Sequence, residues 1–252
     1  MPKNEDFKLK FIFPPKFEYY TPNSPVLEKY LPYGMAVLTA FLREKNYYVE
    51  QEDFAVKFNY HYSQPLLFAL KIVKNILSSR YRNYGALGEF IKSRKIEDSL
   101  VSSIDKMLDS SLAGRFNVIG FSVFSVHQFL FALMLSQRLK QKTNTITILG
   151  GSFISLFSQL FYSDVFNFVD YIIVDDGRVP ILRLIDYLQG KTVLSSVPNL
   201  VYKNNGKIII NPKEYYPLED VPMPDFEGLP IELYTMPQYE NTVTLPLSLI
   251  HI

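Results

Sequence analysis

NVIGFSVFSVHQFLFALMLSQRLKQKTNTITILGGS, residues 117–152, sets the architecture of this chain. Residues 116–124 are apolar with few polar side chains, as in a strand covered on both sheet faces. Residues 128–140 follow as a helix that ends in Arg138 and Lys140, basic groups suited to the negative end of its dipole. Residues 145–149 are a further apolar strand, closed by Gly150 and Gly151. Strands that alternate with helices call for a parallel sheet with crossover helices.

The alternation extends both ways. Upstream, residues 9–14 (LKFIFP) are a short apolar strand stopped by Pro14 and Pro15. A Pro- and Tyr-rich loop over 16–32 leads into a helix over 33–45 and a strand over 47–53. Residues 54–115 hold no clear strand and read as a helical insert, with helices near 65–78, 87–95 and 96–112. Downstream, a helical stretch runs to about Val165, a fifth strand covers 169–174, and a helix covers 180–188. The predicted fold is therefore α/β, a five-stranded parallel Rossmann-like sheet of flavodoxin type over residues 1–195. Beyond Gly190 the pattern changes. Residues 200–202 and 207–210 flank Asn204-Asn205-Gly206, a β-hairpin with a primed turn. Residues 212–246 are studded with Pro and lack a period, so 196–246 reads as hairpin plus extended linker, or a strap over a neighbouring domain.

Composition narrows the function classes. The 252 residues are 48% hydrophobic and 20% charged, enough apolar content for a sizeable core. The net charge of +1 supplies no global field for gripping nucleic acid or an anionic membrane. The chain has no cysteine, so it forms no disulfide and offers no thiolate to zinc or to an iron–sulfur cluster. No basic segment leads into an apolar signal core, which predicts a cytoplasmic protein.

In open α/β sheets, ligands bind beyond the carboxyl ends of the strands. Those ends carry Pro14 and Pro15, Asp53, Ser122 to Ser125, Gly150-Gly151-Ser152, and Asp175-Asp176-Gly177. The set is poor in acid–base groups and rich in Gly and Ser, which suits close backbone approach to a large ligand better than hydrolysis. GxGxxG after the first strand, GxxxxGK[ST] and GxSxG are all absent. Gly150-Gly151-Ser152 is either a ligand-touching backbone with a Ser donor or a tight strand-to-helix turn. Ser122 and Ser125 are ligand contacts or helix caps. Asp175 and Asp176 suit a ribose or sugar hydroxyl, but a helix-start turn is the favoured reading. His127 at a helix start and His61 in an aromatic stretch are weak metal candidates.

Read in order, several fragments resemble the N-terminal half of cobalamin (B12)-binding radical SAM proteins. FIFPP (11–15) and LPYGMAVLTAFLREKNYYVEQED (31–53) are similar to that family's PP…P-x-G…L-x-x-x-L-x-x-x-G-x-x-V…D pattern. NVIGFSVFSVHQFLFALMLSQRLK (117–140), ITILGGSFIS (146–155) and VDYIIVDDGRVPILRLIDYLQG (169–190) follow, then VPNLVYKNNGKIIINP (197–212) and LEDVPMPDFEGLPIELY (218–234). Singly each motif is weak; the order and spacing give them specificity, and they cover most of the chain outside 54–115.

The resemblance implies a flavodoxin-type domain that cradles cobalamin, with Ser122 and the Gly150-Gly151 loop lining the cavity for its nucleotide tail. The expected cofactor-binding set is Pro14, Pro15, Ser122, Phe124, Ser125, Gly150, Gly151, Ser152, Asp175 and Gly177, with no catalytic or metal-ligating residue. Two departures stand out. The lower-axial His of a DxHxxG motif is replaced by Pro14-Pro15-Lys16, so no His ligand is expected from that loop. The family's GEGE is replaced by Asp175-Asp176-Gly177-Arg178.

The family's CxxxCxxC motif, which holds a [4Fe–4S] cluster that cleaves SAM, does not occur. The tail LSLIHI (247–252) is what the transposase adapter CTGTCTCTTATACACATC encodes. The expectation is that residues 247–252 are adapter read-through, cut short of the cluster motif and of a C-terminal radical SAM domain, and that His251 is not native. The parent is then a radical SAM enzyme, a methyltransferase or a relative, and this fragment alone is inactive. The alternatives are a stand-alone flavodoxin-like binding module, or a nucleotide-sugar-binding domain that uses Asp175 and Asp176.

Overall fold

The computed structural model describes residues 4–15, 31–61, 91, 93–96, 98–109, 115–156, 162–236 and 242–243. In chain order these form β1 (Asn4–Phe13), α1 (Tyr33–Glu44), β2 (Tyr47–Asp53), α2 (Phe54–His61) and α3 (Asp98–Asp109). Then come β3 (Val118–Ser122), α4 (Val126–Lys142), β4 (Ile146–Gly150), α5 (Ser152–Leu156), α6 (Tyr162–Val165), β5 (Tyr171–Ile173) and α7 (Arg178–Leu188). The hairpin β6 (Leu200–Asn204) and β7 (Lys207–Ile210) precedes a separate small pair, β8 (Thr235–Met236) and β9 (Thr242–Val243). The expected helices near 65–78 and most of 87–95, and the 247–252 tail with His251, lie outside the described residues.

The main sheet has seven strands in the order β2-β1-β3-β4-β5-β6-β7. β1 to β5 pair in parallel, and β6 and β7 add antiparallel. The five-stranded expectation is corrected here. The hairpin does not stand apart; it completes the free edge of β5, with Ile172 opposite Val201. Asn205 and Gly206 both take left-handed φ, 48° and 80°, as a primed two-residue turn requires. The Rossmann-like description therefore fits loosely: the parallel part is doubly wound, and the antiparallel edge is extra.

Strand periodicity splits the core into two layers. Ile12, Ile119, Phe121, Val123, Leu149 and Ile172 pack against Ile104, Met107 and Leu108 of α3 and the Phe129–Leu139 face of α4. Leu9, Phe11, Phe13, Val118, Ile148 and Ile173 point the other way, toward Met35 and Leu42 of α1 and Ile181, Leu184 and Ile185 of α7. α4 starts on a capping box. The Ser125 side chain accepts from the Gln128 N–H, and the Gln128 side chain accepts from Ser125 N–H.

Residues 211–236 are a strap on their own domain. It leaves β7, crosses the α1 and α7 layer, and returns to β2 at the opposite edge. Asn211 and Asn199 hold its start: the Asn211 amide donates to the Leu194 and Val197 carbonyls, and Asn199 brackets both backbone groups of Glu214. At its far end Gln51 donates to the carbonyls of Asp225 and Glu227, and Leu229 and Tyr234 are buried in the core. Among the described residues no helix is long and apolar enough to cross a membrane.

Candidate functional site

At the carboxyl ends of the parallel strands lies a cleft of about 810 Å³ on the α1 and α7 side of the sheet. Its floor is Phe11, Phe13, residues 120–124, Ile148 and Gly150-Gly151. Its walls are residues 31–35, Val37 and Leu38 at the start of α1, Gly177, Arg178 and Ile181 at the start of α7, and Leu218, Val221, Pro222 and Met223 of the strap. The strands place their small residues here by alternation. On β3 the side chains of Val118, Gly120 and Ser122 share this face, and on β4 Ile148 and Gly150 do. A β-carbon at Gly120 would stand 2.7 Å from the Phe11 ring, so that ring occupies the space the glycine gives up. A β-carbon at Gly150 would make only ordinary contact, 3.6 Å from the Ile173 carbonyl oxygen, and would meet no side chain.

The two neighbouring glycines have different jobs. Gly151 has φ +104°, and a β-carbon there would lie 2.4 Å from the Val123 carbonyl oxygen. It is required by the close approach of the β3 and β4 ends, where the Val123 N–H donates to the Gly150 carbonyl at 2.8 Å. Of the expected set, Ser122, Phe124, Gly150, Gly151, Ser152, Asp175 and Gly177 line the cleft. Pro14, Pro15 and Ser125 are not among its lining residues. Pro14 and Pro15 are buried, and the Pro14 carbonyl accepts from the Gln128 amide at 3.0 Å, tying the β1 end to the start of α4. Ser125 is taken up by the cap.

Asp175 has φ 59°, donates its N–H to Ser155 Oγ at 2.8 Å, and has the Lys213 ammonium 2.7 Å from its carboxylate. Asp176 holds the buried Arg178 guanidinium through both carboxylate oxygens, Oδ2 at 2.6 and 3.0 Å and Oδ1 at 3.1 Å. Both carboxylates are thus engaged by cations of the domain. Asp53 is also internal: it accepts from the Val56 N–H and, at 2.6 Å, from the Tyr234 hydroxyl. Burial, with the Asp53 carboxylate beside it, pushes the Tyr234 phenol far above its usual range. Among the described residues no three His, Asp or Glu side chains converge to hold a metal.

Sequence reasoning missed the strap wall, Gly34 and Leu38 of α1, Ser155 and Gly120. A glycine inside an otherwise apolar strand was the available signal for Gly120; the strap carried none.

No protein-family model and no curated protein matches the chain. Solved structures do. The cobalamin-dependent S-adenosylmethionine radical enzyme OxsB, with aqua-cobalamin and S-adenosylmethionine bound, aligns at 20% identity and TM-score 0.52 over 88% of this chain. With aqua-cobalamin alone it aligns at 19% and 0.54. The radical S-adenosylmethionine methyltransferase TsrM from Kitasatospora setae, with cobalamin and a [4Fe-4S] cluster bound, aligns at 12% and 0.50 over 90% of this chain. The chain spans 24% of the first enzyme's length and 32% of the last one's. At these identities the likeness is one of fold.

Proposed function

We propose that this chain is the cobalamin-binding module of a B12-dependent radical SAM enzyme. The observation that carries the reading is the open, apolar cleft over Ser122 and Gly150, at the carboxyl ends of β3 and β4. Its volume falls within the range of about 300–1,000 Å³ common for cofactor sites. Gly150 leaves room for a bulky group, and Ser122 and Ser152 offer hydroxyls to its polar edge. Ser122, Gly150 and Ser152 are the residues that would hold the nucleotide tail of such a cofactor. No His follows β1, so the chain supplies no lower-axial imidazole from that loop.

Bound cobalamin supplies cobalt-centred group transfer; the protein's part is to bind and orient it. The [4Fe–4S] cluster and SAM of the parent would be held by residues outside this cysteine-free chain, in a C-terminal radical SAM domain. The parent is a methyltransferase or related radical enzyme, and residues 1–252 alone are inactive. Asp175 and Asp176 are engaged by Lys213 and Arg178, which leaves the nucleotide-sugar alternative without a free carboxylate to support it.

The test is to mix the chain with hydroxocobalamin, desalt, and record the visible spectrum. Retained corrin bands, shifted from the free form, are expected. A colourless protein fraction overturns the reading.

A further inference from the structure

The strap is pinned on both sides of the cleft but carries apolar side chains into water between the pins. On the β5 side, Lys213 pairs with Asp175, Asn199 brackets Glu214, and the Arg178 guanidinium reaches the Pro217 carbonyl at 3.4 Å. On the β2 side, the Asp225 N–H donates to the Ala36 carbonyl at 3.2 Å, and Arg43 holds the Asp225 carboxylate at 2.7 Å. Between these anchors Leu218 is 62% exposed and Met223 is 86% exposed, although both line the cleft. Across the mouth Phe124, another lining residue, is 47% exposed. Glu219, Asp220 and Pro224 of the same stretch are not among the lining residues.

Holding large apolar side chains in solvent wastes their burial energy unless something covers them. These polar anchors, buried at Asn199 and Arg178, show that the segment's position is fixed by the fold, so the exposure is built in. Resting on the function proposed above, we infer that Leu218 and Met223 form a preset jaw that closes on the exposed part of the corrinoid while its tail occupies the space over Gly150. The two side chains are then affinity determinants that act on release of the cofactor. Asn199 and the Arg43–Asp225 pair act as positioning residues, because they touch the strap and not the cleft.

The experiment compares the wild-type chain, the Leu218→Ala/Met223→Ala double variant and Val193→Ala, each loaded with hydroxocobalamin. Val193 is also exposed, at 63%, but lies outside the cleft. Loss of bound corrin is followed by its absorbance after desalting into excess apo-acceptor, and thermal melting of the unloaded proteins is recorded in parallel. The expected result is unchanged melting in all three unloaded proteins. Release should be on the order of ten-fold faster from the double variant only. If wild type retains corrin and the double variant releases it no faster than Val193→Ala, the jaw is overturned and the cobalamin reading stands. If wild type retains none, the cobalamin reading itself fails and the jaw with it.

Discussion

β3 and β4 show two unlike faces. Toward α3 and α4 they present Ile119, Phe121, Val123 and Leu149, all buried in a continuous core. Toward α1 and α7 the same strands, near their carboxyl ends, present Gly120, whose space the Phe11 ring fills, and Ser122 and Gly150, which line the cleft. One face stabilises the domain by close packing, and the other gives up that packing over the last residues of each strand. The contrast separates what holds the fold from what the fold leaves free. It makes a sharp claim about neighbouring positions, because a one-residue step along a strand changes the face.

The largest expected effect tests that claim across one peptide bond. Gly151→Ala forces a β-carbon into the Val123 backbone at a left-handed φ, so a loss of about 3 kcal/mol or more is expected in urea unfolding. Gly150→Ala should stay within about 1 kcal/mol of wild type, because its β-carbon makes only ordinary contact, 3.6 Å from the Ile173 carbonyl oxygen. Equal losses at the two positions would break the comparison.

The next effect is on binding. Gly150→Phe fills the open floor without meeting packed side chains at its β-carbon. Retention of hydroxocobalamin should fall at least about a hundredfold, or about 2.7 kcal/mol, with the unfolding midpoint nearly unchanged. Leu149→Ala, on the packed face next door, should do the reverse. A cost of about 2–5 kcal/mol in stability is expected there, with binding retained in the protein that remains folded. Titration of each variant by absorbance, beside its urea curve, separates the two.

How far these features were legible from sequence follows from their range. The strands, the helices between them and the Gly and Ser at the tips are local patterns of period two or of turn chemistry, and residues 117–152 displayed them. The hairpin was legible through Asn205-Gly206, but its docking partner was not, because nothing in Leu200–Asn204 names the edge of β5. The Pro-rich run reads as a linker or a strap over a neighbouring domain, and its docking on its own domain was not legible for the same reason. Tyr234 meets Asp53 across 181 residues and Asp225 meets Arg43 across 182, and neither contact leaves a periodic trace. Pro14 looked like a tip residue exposed to ligand; its carbonyl is spent on Gln128, a partner 114 residues away.

The strap's buried anchor ranks third. Tyr234→Phe removes the donor to a buried carboxylate, and a loss of about 1–3 kcal/mol is expected at pH 7. Its pH signature has a definite sign. The folded phenol titrates above its ordinary 10.0, because burial and the Asp53 charge oppose ionisation. Its contribution is therefore complete below that value and is lost as pH rises beyond it. Wild type should lose stability above about pH 10 more steeply than Tyr234→Phe, by up to about 1.4 kcal/mol per pH unit. Parallel alkaline unfolding curves would contradict the assignment of Tyr234 as an anchor.

The smallest effect belongs to the half-exposed latch. Burial alone would raise the Asp225 carboxyl, but the Arg43 guanidinium and the Glu227 N–H outweigh it and hold it below its usual range. A pair this open to water is worth at most about 1 kcal/mol, so Asp225→Asn should shift the urea midpoint only slightly at pH 7. The folded carboxyl titrates below its ordinary 3.8, so its contribution is present above that value and disappears as pH falls through the folded pKa. The small difference between wild type and Asp225→Asn should vanish in acid, while the Tyr234→Phe difference responds to alkali. If the latch matters for the cleft and not for the core, Asp225→Asn should speed corrin release by more than its stability change accounts for. A release rate identical to wild type would confine Asp225 to the packing of the strap.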